Sequence, residues 1–286
     1  MNERYTDTKK AGFYGIVGNI FLLIIKAVAG VMTKSQAMIA DSINSASDIF
    51  ASLMTFIGNK ISSAPKDKTH NLGHGKAEYI FSMFIGISMI ILAAKMIFDA
   101  ATSLIYGNEM IFSWGAIVVC IVTIITKFCL YVYTKKLSKK YKNILLMSNM
   151  KDHRNDCVVT TFTLISIILS LFGIYWFDSV VGIAISIWIC HTGILIFIES
   201  YNVLMDISID DDTRNKILNL AENFDGVKEV LEVISVPVGY KYVIFMKIAV
   251  DGNLTTFDSH ALADKLEDDV TKIENIYKTI VHVEPV

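Results

Sequence analysis

Five apolar stretches constrain this chain more than any other feature: Ala11 to Met32, Ala77 to Ile105, Ile111 to Thr134, Cys157 to Phe172 and Tyr175 to Ile198. Several exceed the ~20 residues that a helix needs to cross a hydrocarbon core. The composition agrees, because 53% of the chain is hydrophobic and only 19% is charged, below the roughly one quarter usual in soluble domains. From Met205 onward charged residues mix with short apolar runs, which is the texture of a small soluble domain. The expected organisation is therefore a transmembrane domain over 1–205 and a soluble domain over 206–286. A net charge of -2 gives no sign of nucleic-acid binding. The first apolar segment is full length without a convincing small-residue cleavage site, so it reads as a span rather than a signal peptide. Cys120, Cys129, Cys157 and Cys190 all lie in apolar segments with no CxxC spacing and read as packing residues.

The number of spans follows from charge and length. Residues 37 to 61 carry Asp41, Ser42, Asn44, Ser45, Ser47 and Asp48, which a hydropathy window scores poorly. If they nevertheless span, the clusters Arg4, Lys9 and Lys10, then Lys60, Lys66, Lys68 and Lys76, then Lys135 to Lys142 all fall on one side, and the opposite loops keep only Lys34 as a cation. That arrangement satisfies the positive-inside rule with both termini cytosolic, as expected for a multi-pass protein of the plasma membrane. Cys157 to Phe172 alone would give about 24 Å of helix, short of a ~30 Å core. The fifth helix must begin earlier, which draws Asn149, Asp152 and Asp156 into the bundle. Six helices result.

An ionisable residue inside a membrane is costly and marks a pathway, a relay or a bound ion. Asn44 and Asp48 stand four residues apart on the second span, and Asp152 and Asp156 repeat that spacing on the fifth. Each pair projects from one helix face, and facing pairs would offer four oxygen-bearing side chains. Lys95 and Asp99 are also one turn apart and can neutralise each other, and Lys26 can snorkel; Lys127 has no explanation in the sequence.

Four motifs together resemble the cation diffusion facilitator family: SQAMIADSINSASD (Ser35 to Asp48), LGHGKAE (Leu72 to Glu78), DHRND (Asp152 to Asp156) and LMD (Leu204 to Asp206). The resemblance implies a six-helix transmembrane bundle followed by a cytosolic α+β ferredoxin-like domain, a homodimer, and export of a divalent metal in exchange for protons. It also implies that Asn44, Asp48, Asp152 and Asp156 form the transport site. Zinc-carrying members usually have histidine within these pairs, and this chain has Asn44 and Asp152 instead. Nitrogen and sulfur ligands suit Zn²⁺, whereas oxygen ligands suit Mg²⁺, Ca²⁺ and Mn²⁺. Because Mn²⁺ stands at the weak end of the Irving–Williams order, an all-oxygen tetrad favours it by denying competitors their preferred ligands. The Asn-Asp plus Asp-Asp arrangement resembles the manganese-exporting branch, with Fe²⁺ or Zn²⁺ export as the alternative. His153 adjoins Asp152 and could supply a nitrogen ligand, but it lies about 100° round the helix from it, which favours a helix-helix or loop contact. Asp41 shares the face of Asn44 and serves either an exit path or a helix cap. Three carboxylates in low dielectric repel one another, so without a metal the site should hold at least one proton, and metal entry would expel it.

The resemblance places further sites elsewhere. Asp67, His70 and His74 in the loop after the second span would form a peripheral metal site, unless they simply hydrogen-bond the loop. In the soluble domain His260, His282 and Glu284 match metal positions of zinc members, but Leu231 and Lys247 replace other such positions. Dimerisation with at most a weakened metal site is the reading for that domain. Lys76 and Asp206 are expected to pair and link the membrane and soluble parts.

The segment order expected after residue 206 is αββαβ, with helices near Thr213 to Phe224 and Ser259 to Ile273 and strands near Glu229 to Val236, Tyr242 to Val250 and Tyr277 to Val283. Two other classes compete. An intramembrane aspartyl protease would need a carboxylate dyad around water, but no GxGD-type segment accompanies either pair. A divalent cation channel would use symmetric rings or carbonyl filters, which the chain does not suggest.

Overall fold

The structure is a computed structural model that describes residues 2–33, 36–106, 114–174 and 176–286; side chains are described for these residues except 2, 30, 32–33, 36–44, 46–47, 106, 170 and 178. The chain divides into two compact units, residues 1–63 with 77–201, and residues 64–76 with 202–286. The loop 64–76 therefore groups with the C-terminal residues, although the sequence suggested a single division near residue 206.

Among the described residues, six long helices make up the first unit: α1 (Asn2–Thr33), α2 (Gln36–Ser62), α3 (Ala77–Tyr106), α4 (Trp114–Tyr141), α5 (Ile144–Ser170) and α6 (Trp176–Leu204), the last three residues of which fall in the second unit. Glu3–Ala29, Ala77–Ile105, Trp114–Tyr141 and Ser179–Leu204 are each long and apolar enough to cross a membrane. The other two, α2 and α5, carry the polar positions that the charge and length arguments had to rescue.

The helices turn their apolar sides outward. On α4, Trp114, Val118, Ile121, Ile125, Phe128 and Val132 recur at three- and four-residue steps and are all exposed. The opposite face buries Cys120, Thr123, Lys127, Leu130, Thr134 and Leu137. On α1 the exposed row Phe13, Val17, Ile20, Ile24 and Val28 opposes a buried row with Arg4, Thr8, Asn19 and Lys26. A stripe of this size suits hydrocarbon rather than water.

Small residues allow close helix packing, as expected where apolar burial gives no drive for association in lipid. A Cβ added to Gly15 of α1 would lie 2.6 Å from Ser52 Oγ on α2, and one added to Gly86 of α3 would lie 2.9 Å from the Gly193 carbonyl of α6. The link from α4 to α5 is only Lys142 and Asn143. Lys142 takes a left-handed conformation with φ 46°, and Asn143 Oδ1 accepts from Leu146 N to cap α5. This places the start of α5 early, so that Asp152 and Asp156 lie inside the helix.

The second unit contains α7 (Asp211–Glu222), β1 (Glu229–Val238), β2 (Lys241–Val250), α8 (Thr256–Thr271) and β3 (Ile276–Pro285). The expected αββαβ order is present. Strand β2 is central, antiparallel to β1 and parallel to β3. Ile217, Ile244, Met246, Ile248, Leu266 and Val270 form the core. Asp210 and Thr255 cap the two helices, accepting from Thr213 N and Asp258 N. Ile234, Phe245 and Ile280 lie in register across the three strands and remain exposed.

Candidate metal centre

Within the first unit, carboxylates from two helices meet at one point. Lys127 Nζ of α4 donates to Asp48 Oδ2 of α2 at 2.7 Å and to Asp156 Oδ2 of α5 at 2.6 Å. The two carboxylate oxygens therefore approach each other as closely as a shared partner requires. Asp152, one turn before Asp156, is buried with its Oδ2 unpartnered. Asp48, Asp152 and Asp156 line a cavity of about 80 Å³ with Lys26, Thr123, Lys127 and Asn155. Asn44 and Asp41 lie on α2, and their side chains fall outside the described residues. Of the expected tetrad, the structure thus brings together three members.

The site is held by neighbouring polar groups. Asn19 of α1 donates to the Asp48 carbonyl at 2.9 Å and to Ser52 Oγ at 3.1 Å, which fixes the α1–α2 contact beside Asp48. Asn149 is buried on α5 with neither side-chain atom hydrogen-bonded. Divalent ions bind oxygen at roughly 2.0–2.6 Å, close to the reach of the ammonium that bridges these carboxylates. A hard cation drawing on both of these oxygens would take the position that the Lys127 ammonium holds.

In the second unit, Asp67, His70 and His74 also gather, with one ligand atom from each within 4.8 Å of the others. Asp67 Oδ1 accepts from the His70 amide at 2.6 Å and from the Thr69 amide at 2.9 Å. The His70 amide bond, then the Thr69 hydroxyl, lower the Asp67 pKa from 3.8 to about 2. His74 Nδ1 lies 3.1 Å from the Pro65 carbonyl, which leaves Nε2 facing Asp67 Oδ2 at 3.5 Å. Both outcomes left open by the sequence are compatible here: the loop is hydrogen-bonded, and its ligand atoms converge.

The C-terminal candidates do not converge. Glu284 Oε1 is held by Lys247 Nζ at 2.6 Å and lies 3.6 Å from His282 Nε2. Lys247, chiefly through its hydrogen bond, holds the Glu284 carboxyl below its usual range. His260, on α8, instead lies 3.6 Å from Asp264. Among the described residues, no three ligand-type side chains meet in this part of the second unit. Lys247 thus neutralises the carboxylate that a cation there would use. Lys76 and Asp206 do pair, at 2.7 Å, but both belong to the second unit. Their bond holds the 64–76 loop to that unit, which differs from the expected link between two parts.

Residues 12–205 match the cation efflux transmembrane domain, and residues 209–286 match the cytoplasmic domain of cation efflux proteins. The chain belongs to the cation efflux family. It is similar to the manganese efflux system protein MneS of Bacillus subtilis strain 168, with 30% identity over 295 aligned residues covering 99% of this chain and 98% of MneS. Its identity to the manganese efflux system protein MneP of the same organism is 24%, covering 99% of this chain and 98% of MneP. The magnetosome protein MamM of Magnetospirillum gryphiswaldense is 28% identical, covering 91% of this chain and 82% of MamM. As a cation efflux protein, this chain is a membrane transporter of divalent cations.

Three polar features of this cation efflux protein go beyond what sequence spacing alone indicates. Lys127 was one, and its signal was present: it shares a helix face with Thr123 and Thr134, so a buried partner was required. Arg4 was counted only as a cytosolic cation, yet its guanidinium makes a buried bidentate pair with Glu78 at 2.7 and 2.6 Å. His153 was expected to make a helix or loop contact. Both its ring nitrogens are buried without a hydrogen bond, and one lies within 4.8 Å of oxygens of Asp152 and Asp156. Helix α5 is buried around much of its circumference here, with Asp152, His153 and Asn155 all inside, so a 100° offset does not carry a side chain out of the interior.

Proposed function

We propose that this transporter exports Mn²⁺ from the cytosol across the plasma membrane in exchange for protons, using Asn44, Asp48, Asp152 and Asp156 as its transport site. The observation that carries the reading is the meeting of Asp48 and Asp156 at one buried point, with Asp152 on the same cavity. These donors are oxygens, the ligand type that favours Mn²⁺ over metals that prefer nitrogen or sulfur. The relatives MneS and MneP, both manganese efflux system proteins by name, support the same ion. Proton exchange follows from charge: three carboxylates exceed the two ammonium groups, of Lys127 and Lys26, that line the same cavity, and protons can balance the remainder when metal leaves.

In this reading the protein is a homodimer with both termini in the cytosol, and residues 206–286 support the dimer. The exposed cross-strand row Ile234, Phe245 and Ile280 gives that domain an apolar surface suited to a second copy. Asp67, His70 and His74 form a peripheral metal site in the loop, and Lys76 with Asp206 anchors that loop.

His153 favours a second reading. A buried imidazole without a hydrogen bond near two carboxylates offers the nitrogen that Fe²⁺ or Zn²⁺ accepts more readily. Purified protein in liposomes, given Mn²⁺, Fe²⁺, Zn²⁺ or Mg²⁺ under an imposed pH gradient, tests both. Gradient-driven Mn²⁺ flux exceeding that of the others supports the first reading, Zn²⁺ or Fe²⁺ in first place supports the second, and flux without any need for the gradient removes the antiport.

A further inference from the structure

Lys127 stands on α4, which carries neither of the paired acidic motifs, yet its side chain reaches both. It is 1% exposed. Its ammonium sits between Asp48 Oδ2 and Asp156 Oδ2, oxygens of the carboxylates on different helices that a metal bridging α2 and α5 would draw on. Resting on the function proposed above, we infer that Lys127 is a tethered competitor of the transported ion: the metal binds these two oxygens only by displacing the ammonium.

The chemistry supports exclusion rather than sharing. An ammonium and a divalent ion each need the same oxygen atoms at short range, and two cations at one point repel strongly in a medium of low dielectric. A divalent ion attracts each carboxylate with twice the charge of the ammonium, so it can win the exchange. The lost ion pair nevertheless lowers its net affinity. That reduction matters for a transporter, because three buried carboxylates opposed only by Lys26 would release a divalent ion more slowly. The flexible stem of Lys127 keeps the displaced charge in the same cavity, which Asp152 and Thr123 also line, so it can return as the metal leaves. Occupancy would also alter helix contacts, since the ammonium ties α2, α4 and α5 together only while it holds both carboxylates.

The test is equilibrium dialysis of Mn²⁺ against the purified full-length chain in detergent, with circular dichroism and size exclusion to verify folding. Lys127→Met removes the competing charge and should tighten Mn²⁺ binding about tenfold or more. Lys127→Arg keeps a positive charge and adds a planar fork that grips two carboxylates, so it should weaken binding. A folded Lys127→Met protein with unchanged or weaker affinity would overturn the inference. If that variant does not fold, Lys127→Arg decides, and unchanged or tighter binding there would overturn it. Asp48→Asn separates the two levels of the argument. Wild-type affinity in Asp48→Asn removes the proposed transport site itself, whereas loss of binding there with an unaltered Lys127→Met protein removes only the competitor.

Discussion

The two units of this protein differ in what they bury. In the first, the interior holds Arg4, Lys26, Asp48, Glu78, Lys127, Asp152 and His153 beside apolar residues such as Ile85, Met89 and Leu145, while rows of valine, isoleucine and phenylalanine face outward. In the second, Ile217, Ile244, Met246, Ile248 and Leu266 fill the core, and the buried polar residues there are Ser235 and Thr279. One rule produces both patterns. Apolar surface leaves water, into a core in one case and into lipid in the other, and polar groups go where partners or water remain. The comparison also locates chemistry, because buried charge is expensive and persists where it is paired or functional.

The largest expected effect separates the units by activity. Asp48→Ala or Asp156→Ala should reduce Mn²⁺ flux in liposomes to background while the dimer still elutes intact. His282→Ala, in the second unit, should retain substantial flux because Lys247 already occupies Glu284 beside it. Normal flux in the aspartate variants, or complete loss in a folded His282→Ala protein, would erase the distinction.

A second comparison sets one ion pair against another. Arg4 and Glu78 are 7% and 2% exposed and are joined through two bonds, with Ser62 and Asn143 also directed at Glu78. Arg4→Ala should destabilise the first unit by about 3–5 kcal/mol, since it strands a buried carboxylate. Lys76 and Asp206 are 38% and 52% exposed, and Lys76→Ala should cost about 1 kcal/mol or less. Thermal melting of the two variants in the same detergent measures the contrast, and equal losses would contradict it.

The smallest effect concerns Asp67. Its folded-state pKa of about 2 lies below the ordinary 3.8, so its contribution to loop order is full above the ordinary value and is lost as pH falls through about 2. An NMR titration of labelled aspartate carboxyls should place the Asp67 midpoint near 2 in the wild type. A midpoint near 3.8 for Asp67 would mean that the His70 amide bond is not maintained in solution.

Much of the architecture was legible because membrane helices obey simple length and charge rules. Residues 37 to 61 were recovered from the one-sided lysine clusters, and the early start of α5 followed from the short run at Cys157. The i, i+4 pairs were visible because they lie within single helices. Lys127 was not, because its partners are on α2 and α5 and no spacing within α4 encodes them. Arg4 was misread for a related reason: the positive-inside rule counts charges without asking which are buried. The grouping of loop 64–76 with the C-terminal residues depends on long-range contacts, including the Lys76–Asp206 bond across 130 positions.

In the proposed function, oxygen ligands in the first unit choose Mn²⁺. Competition of Zn²⁺ against Mn²⁺ uptake into liposomes, in wild type and in Asp152→His, measures this choice directly. The account predicts that wild type prefers Mn²⁺ and that the new nitrogen ligand shifts the ratio toward Zn²⁺ by about tenfold, equivalent to about 1.4 kcal/mol of relative binding. A wild type that already prefers Zn²⁺, or a ratio untouched by Asp152→His in a folded protein, would contradict it.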